Sequence, residues 1–356
     1  MLTDSDAPAA LRRLWPDRAA TPLLEVPRLA SRCGVAQVRV KDEGQRLLGN
    51  FKSLGGMYAG LRALARAAGL PDLGALLERE PRAAGLPTLL CASDGNHGLA
   101  VAAAAALAGA AARVYLPEDV SAARAQRIAA RGAQVVRVPG TYDDAVREAA
   151  AASARGDGLL IADTSADPQD PVVADVMAGY GLLAHELEAQ LETAGERPTH
   201  LFVQAGVGGL AAALAEGLSA QLAAPRAIVV VEPAAAACVA RALAAGRPEP
   251  IRGRLETSAS MLSCGLASAG AVAILLRHGA RSLAVEEPWL AEAERAMPEA
   301  GGPATTASGA AGLAGLLAAA ADPALRRSLQ LGPEARVLLI ATEGPLSAGA
   351  GDGGLP

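Results

Sequence analysis

Lys52 stands in the run Gly49-Asn50-Phe51-Lys52-Ser53-Leu54-Gly55-Gly56, where a lysine opens a helix just after a loop and beside an aromatic ring. Of the chain's 32 basic side chains, only Lys41 and Lys52 are lysines. Asparagine is equally scarce, at Asn50 and Asn96 alone, and phenylalanine occurs only at Phe51 and Phe202. Abundant Ala, Gly, Arg and Pro look like the product of a GC-rich genome. A lysine that escapes replacement by arginine in such a chain is the first residue to inspect. Desolvation and the positive end of a helix dipole should lower the pKa of Lys52 and leave a nucleophilic amine. The plainer reading is a solvated surface lysine.

Two further runs carry chemistry. Cys91-Ala92-Ser93-Asp94-Gly95-Asn96-His97-Gly98 follows an apolar run and precedes a helical one. Its glycines permit a tight turn that presents the Asn96 amide; a helix cap at Ser93 or Asp94 is the simpler alternative. Gln204-Ala205-Gly206-Val207-Gly208-Gly209-Leu210 lies in the same kind of place. Backbone N–H groups of Gly206, Val207, Gly208 and Gly209 would face an anion there, helped by a helix N-terminus. The loop lacks the dinucleotide fingerprint and the Gly-Lys-Ser/Thr of a nucleoside triphosphate site, so it suits one small phosphate. A plain tight turn is its other reading.

The elements that must position these runs follow from periodicity. Short β-branched stretches alternate with Ala/Leu-rich helical ones, which predicts an α/β fold with a largely parallel sheet. The expected strands are Ala36–Val40, Thr88–Cys91, Ala112–Leu116, Gln134–Val138, Leu159–Ile161, His200–Gln204, Ala227–Val231 and Val337–Ile340. The expected helices include Leu54–Ala67, Gly98–Ala108, Ala122–Arg131, Thr141–Ala154, Val172–Leu191, Gly209–Ala223, Ala236–Ala245 and Ala307–Ala321. Gly349–Pro356 reads as a frayed tail. The polar, glycine-rich runs fall after strands, where open α/β sheets bind ligands.

Composition removes several classes of function. With 51% hydrophobic and 19% charged residues the chain is globular, and its length usually means two domains. A net charge of −5 with no basic stripe argues against nucleic acid as a partner. The longest apolar run, Leu99 to Ala112, is short of the roughly 20 residues a membrane span needs. The start lacks the basic and apolar segments of a secretory signal. Cys33, Cys91, Cys238 and Cys264 have no paired spacing for zinc, and read as reduced and buried. The expectation is a cytoplasmic protein with no metal site.

A Schiff-base lysine, an amide for a ring hydroxyl and a phosphate cup form the recognition set for pyridoxal 5'-phosphate. On these residues the sequence resembles the fold-type II pyridoxal-phosphate family (the tryptophan synthase β-like enzymes). Within it the chain most resembles the diaminopropionate ammonia-lyase branch. The resemblance runs through Lys41-Asp42-Glu43, Phe51-Lys52-x-Leu54-Gly55-Gly56, Ser93-Asp94-Gly95-Asn96-His97-Gly98 and Asp163-Thr164. It continues through Val176-Met177-Ala178-Gly179-Tyr180-Gly181, Gln204-Ala205-Gly206-Val207-Gly208, Val231-Glu232-Pro233 and Thr342-Glu343-Gly344.

The resemblance implies a large cofactor-binding domain, residues 1–55 and 181–356, with a smaller domain, 56–180, inserted. Each would be an open, twisted, mostly parallel sheet flanked by helices. Lys52 would hold the cofactor, Asn96 would bond the ring hydroxyl, and Gly206, Val207, Gly208 and Gly209 would bind the phosphate. Thr342 would lie near the pyridine nitrogen and leave it unprotonated; it also reads as a plain strand-end hydroxyl. The implied reaction is α,β-elimination from 2,3-diaminopropionate to pyruvate and ammonia. Lys52, Asp94 and Asp163 are the proton-handling candidates, and a homodimer is the implied assembly. An aspartate at Asp94 suits a substrate with a second ammonium group. His97 reads as structural, Asp163 also as a strand-terminating turn residue, and Lys41 as a support.

Three stretches depart from the family's pattern: Ser165-Ala166-Asp167-Pro168-Gln169-Asp170, Thr306-Ala307-Ser308-Gly309, and Asn50 before the Phe-Lys pair. They leave the cofactor set intact and touch the expected substrate pocket. A serine/threonine dehydratase or β-replacement enzyme therefore stays open, as does a catalytically idle binding protein on the same scaffold.

Overall fold

The computed structural model describes residues 7–14, 19–79 and 85–345; the tail expected at Gly349–Pro356 lies outside the described residues. In chain order the elements begin with α1 (Ala7–Leu14), β1 (Leu23–Glu25), α2 (Pro27–Cys33), β2 (Gln37–Asp42), α3 (Lys52–Ala67), α4 (Leu73–Leu77), β3 (Leu89–Ala92) and α5 (Asn96–Ala108). They continue with β4 (Ala112–Pro117), α6 (Ala122–Ala129), β5 (Gln134–Val138), α7 (Tyr142–Ala154), β6 (Leu159–Leu160) and α8 (Pro171–Ala194). Next come β7 (His200–Gln204), α9 (Gly209–Gly217), β8 (Ala227–Pro233), α10 (Cys238–Ala245) and α11 (Ala269–Arg277). The last are β9 (Arg281–Val285), α12 (Glu287–Glu299), α13 (Ala311–Ala321), α14 (Pro323–Leu329) and β10 (Arg336–Ala341). The described residues fall into two units, one of 7–14 and 52–182, the other of 19–51 and 183–345.

The first unit is built on a four-stranded, all-parallel sheet in the order β5-β4-β3-β6. Its β3, Leu-Leu-Cys-Ala, is buried at every position, as expected of a parallel strand covered on both faces. Helix α5 is alanine-rich and buried nearly all round, and small side chains let α3 lie close against it. A Cβ on Gly56 would come within 2.6 Å of the Ala100 Cβ, and one on Gly55 within 2.6 Å of the Val176 carbonyl of α8. Gly179 of α8 meets the Leu54 carbonyl in the same way. The glycines after Lys52 are thus packing residues, which wedge the first turn of α3 between two helices.

The second unit holds a six-stranded sheet in the order β1-β2-β10-β7-β8-β9. All pairings are parallel except β1 with β2, which run antiparallel with Leu23 opposite Lys41. Val38, Val40, Phe202, Val229 and Val231 join Leu313, Leu316 and Leu317 of α13 in one buried cluster. Gly312 allows α13 to approach the Phe202 carbonyl.

All eight expected strands are present, and the fold is the α/β class with mostly parallel sheets. Two edge strands, β1 and β9, were not expected. One has three residues, and the other is largely exposed, with the pattern Arg-Ser-Leu-Ala-Val, so neither carries a strong apolar signal. Helix α9 stops at Gly217, not Ala223, because glycine is a poor helix interior and the chain turns at Leu218. Helix α13 starts at Ala311, not Ala307, since the Thr306 hydroxyl takes the Gly309 N–H into a turn. Among the described residues no helix is long and apolar enough to cross a membrane, and no cluster of potential metal ligands is present.

Candidate active site

In the first unit, three of the expected residues come together. Lys52 is the first residue of α3, and its Nζ is bonded to Asp163 Oδ2 in the turn after β6. The Lys52 side chain is 22% exposed. The other Asp163 oxygen, Oδ1, accepts a 2.6 Å hydrogen bond from the Tyr142 hydroxyl. Tyr142 is held at the start of α7 by a capping box formed by Thr141 and Asp144. Burial by itself would push the Asp163 carboxyl up. The Lys52 charge and the hydrogen bonds from Lys52 and Tyr142 outweigh burial and hold it well below the usual carboxylate range.

Asp94 meets the opposite fate. It sits half-buried in the loop after β3, and burial pushes its carboxyl up to about 8 against the attraction of Lys52, with Asp163 and Asp119 adding to the rise. Two carboxylates near one lysine are therefore driven to different protonation states, the arrangement from which acid and base roles are read.

The loop around Asp94 is shaped by Ser93, whose buried Oγ accepts the N–H groups of Gly95 and Gly98, each at 2.8 Å. Ser93 thereby ties the turn together, while the N-cap position of α5 falls to Gly95, with φ +142°, so neither Ser93 nor Asp94 is the helix cap of the simpler reading. The turn leaves Asn96, half-buried, as the first residue of α5. His97 is buried, and its ring ties α5 to the segment after β6. Its Nε2 donates to the Ile161 carbonyl at 2.8 Å, two residues before Asp163, while Nδ1 is buried without a partner. Burial pushes its pKa down, so the ring is neutral.

In the second unit, the glycine loop joins β7 to α9. Gly208 is the N-cap of α9 with φ +97°, a conformation that glycine adopts without strain. A Cβ on Gly206 would lie 3.1 Å from Cys264 Sγ. The first N–H groups of α9 have no intrahelical acceptor, and Val207 carries the only side chain beyond Cβ between Gly206 and Gly209. An anion fits such a cup.

Gln204, just ahead of that loop, reaches Thr342 in the residue after β10. Its Nε2 donates toward Thr342 Oγ1 at 3.0 Å and toward the carbonyls of Gly309 and Ile340. An amide nitrogen only donates, so Thr342 accepts from it and keeps its own hydrogen for another acceptor. That is the chemistry a neutral pyridine nitrogen needs. The Phe51 N–H donates to the Thr342 carbonyl, and Asn50 pairs with Glu343 in an isolated bridge. The unexpected Asn50 is buried and donates to the Leu48 carbonyl at 2.9 Å, steadying a turn in which Leu48 has φ +67°.

Lys41 takes no part in either group. It is fully buried in the second unit and gives its three hydrogens to the Thr21 carbonyl, Glu186 Oε2 and Gln190 Oε1, at 2.8, 2.8 and 3.0 Å. Arg46 bridges Glu186 and Glu43, and Thr21 donates to Glu43 at 2.6 Å. Among the residues that shape these sites, sequence reasoning missed Tyr142 and this network. The one signal for Tyr142 was its place on the buried face of α7 with Ala145, Ala149 and Ala152. The four cysteines are buried, and none of them forms a disulfide among the described residues.

The first unit offers an amine and a loop amide, and the second, taken by itself, a glycine cup and a hydroxyl, each of a kind that pyridoxal phosphate takes. Comparison with known proteins agrees. The pyridoxal-phosphate dependent enzyme family matches residues 14–343. A diaminopropionate ammonia-lyase of Salmonella typhimurium is 32% identical, over 95% of this chain and 88% of the relative. The crystal structure of holo diaminopropionate ammonia lyase from Escherichia coli superposes with a TM-score of 0.85 at 28% identity, covering 97% of this chain and 90% of that one. The same enzyme in complex with D-serine gives the same values. On the strength of the match along nearly its whole length, this chain belongs to the family of fold-type II pyridoxal-phosphate dependent enzymes.

Proposed function

We propose that the protein is an ammonia-lyase that converts 2,3-diaminopropionate and water to pyruvate and two molecules of ammonia. The observation that carries this reading is the split between Asp163, held ionised by Lys52, and Asp94, pushed up to about 8. Pyridoxal phosphate, when bound, supplies the electron sink that makes the Cα proton of an amino acid removable.

The chain's own groups supply the rest. Lys52 Nζ carries the proton traffic on one side of the substrate, and Asp163 Oδ2 holds that amine in place. Asp94 gives or takes a proton at its carboxyl near neutral pH, and as a carboxylate it attracts a second ammonium group. Lys52, Asn96, Gly206, Val207, Gly208, Gly209 and Thr342 are the proposed cofactor residues. The motif match and the family support this assignment. The same reading takes residues 1–55 and 181–356 as the cofactor domain, 56–180 as the inserted one, and a cytoplasmic homodimer as the working form.

Serine/threonine dehydration is the second reading, favoured by the changed Ser165–Asp170 segment. Pyruvate release from L- and D-diaminopropionate, set against 2-oxo acid release from L-serine and L-threonine, ranks the two. Diaminopropionate should be the better substrate, and Asp94→Asn should slow it selectively. Preference for serine, with diaminopropionate turnover indifferent to Asp94→Asn, would defeat the leading reading. Limited proteolysis and sedimentation test the domain limits and the dimer.

A further inference from the structure

Asp163 is surrounded by groups that pull its proton in different directions. Lys52 faces it from α3, His97 from α5, Asp94 and Cys91 from β3 and the loop after it, Tyr180 from α8, and Tyr142 from α7. Cys91 and Tyr180 are buried and pushed up, hence neutral, and His97 is neutral as well. Lys52 and Tyr142 are the two that bond the carboxylate, one on each oxygen. A hydrogen bond given to a carboxylate stabilises its ionised form and fixes which oxygen remains available to other partners.

We propose that Tyr142 is a positioning residue of the reaction: its hydroxyl holds Asp163 Oδ1, so that Oδ2 stays ionised and directed at the Lys52 amine. This deepens the lyase reading and rests on it for the activity measured below. The geometry supports the role. Tyr142 is 8% exposed, and the capping box at Thr141 sets the start of α7, which buries Tyr142 on one face with Ala145, Ala149 and Ala152. A small cavity of about 10 Å³ beside it is lined by Ala92, Val146 and Ala149 and also by the polar Asp163 and Thr164, which places the Tyr142 ring and the carboxylate on one enclosed space.

The test is Tyr142→Phe, which keeps the ring and its packing and removes one oxygen. Thermal unfolding and the visible band of the cofactor-bound protein establish that the variant folds and loads. In the pH profile of kcat/KM for diaminopropionate, the acid limb should move up by about one pH unit. Activity should then be lost most at the acid end of the range in which the protein stays folded and return as pH rises. The pH dependence of the visible band, which requires no turnover, should show its acid transition shifted in the same direction. In an Asp163→Asn background, Tyr142→Phe should add nothing. An unmoved acid limb together with an unmoved band transition would overturn the proposal, as would an equal fall at every pH. A wild type that loads cofactor and releases no pyruvate from diaminopropionate would defeat the lyase reading instead, leaving the band measurement to decide Tyr142.

Discussion

Lys41 and Lys52 are the two lysine ammonium groups of the molecule, each paired with a carboxylate, yet their surroundings have little in common. Lys41 is sealed, with every hydrogen on an acceptor and its partner Glu186 shared with Arg46. Two cations, Lys41 and Arg46, balance two anions, Glu43 and Glu186, so the network closes on itself. Lys52 Nζ is bonded to Asp163, and its side chain is partly open to solvent. A sealed pair is a structural joint, whereas a pair open to solvent can exchange its partner for a ligand. Residue type alone does not separate the two; burial does.

The contrast can be broken from either side. The largest effect belongs to Lys52→Ala, which should lower pyruvate release by about a thousandfold or more, with a smaller loss of stability than at Lys41 because Asp163 keeps its Tyr142 bond. Loss of the borohydride-sensitive visible band would accompany it. Lys41→Met should do the reverse. It leaves Glu43 and Glu186, two buried anions, with Arg46 as their one cation and should cost about 3–5 kcal/mol of stability, seen as a lower unfolding midpoint with activity per folded molecule retained. If Lys41→Met abolished turnover in fully folded protein, the division of labour would fail.

Lys41→Arg sharpens the point. A planar fork does not fit three acceptors arranged around a compact ammonium, and overpacking should cost about 1–3 kcal/mol. Full stability would mean the cage is looser than its bonds imply.

The smallest effect concerns Asp94. Its folded pKa is raised, so the native state holds a proton that the unfolded chain releases above its ordinary value near 4. Its contribution therefore falls as pH rises from about 4 to about 8. Asp94→Asn should flatten that slope, and an unchanged dependence of the unfolding midpoint on pH would contradict the assignment.

The strands that carry the site were legible because buried parallel strands read as short apolar runs, as in Leu89–Ala92 and His200–Gln204. The edges β1 and β9 were not, since half of an edge strand faces water and its pattern fades. Lys52, Asp94 and the glycine loop could be picked out because each sits in an unusual local run. Tyr142 could not, because its meaning comes from Asp163, 21 residues further on and in another element. Glu186 lies 145 residues from Lys41, and nothing on its own helix marks it as a counter-ion.

The sealing of Lys41 has a practical consequence for labelling. Amine-directed reagents meet two ε-amino groups in this sequence, and the fold withholds one of them completely. Apart from the α-amine at the start of the chain, the native protein thus behaves as a single-lysine protein. Acylation followed by peptide mass mapping would report the state of Lys52 without mutagenesis, and the appearance of label on Lys41 would mark the moment at which the second unit opens.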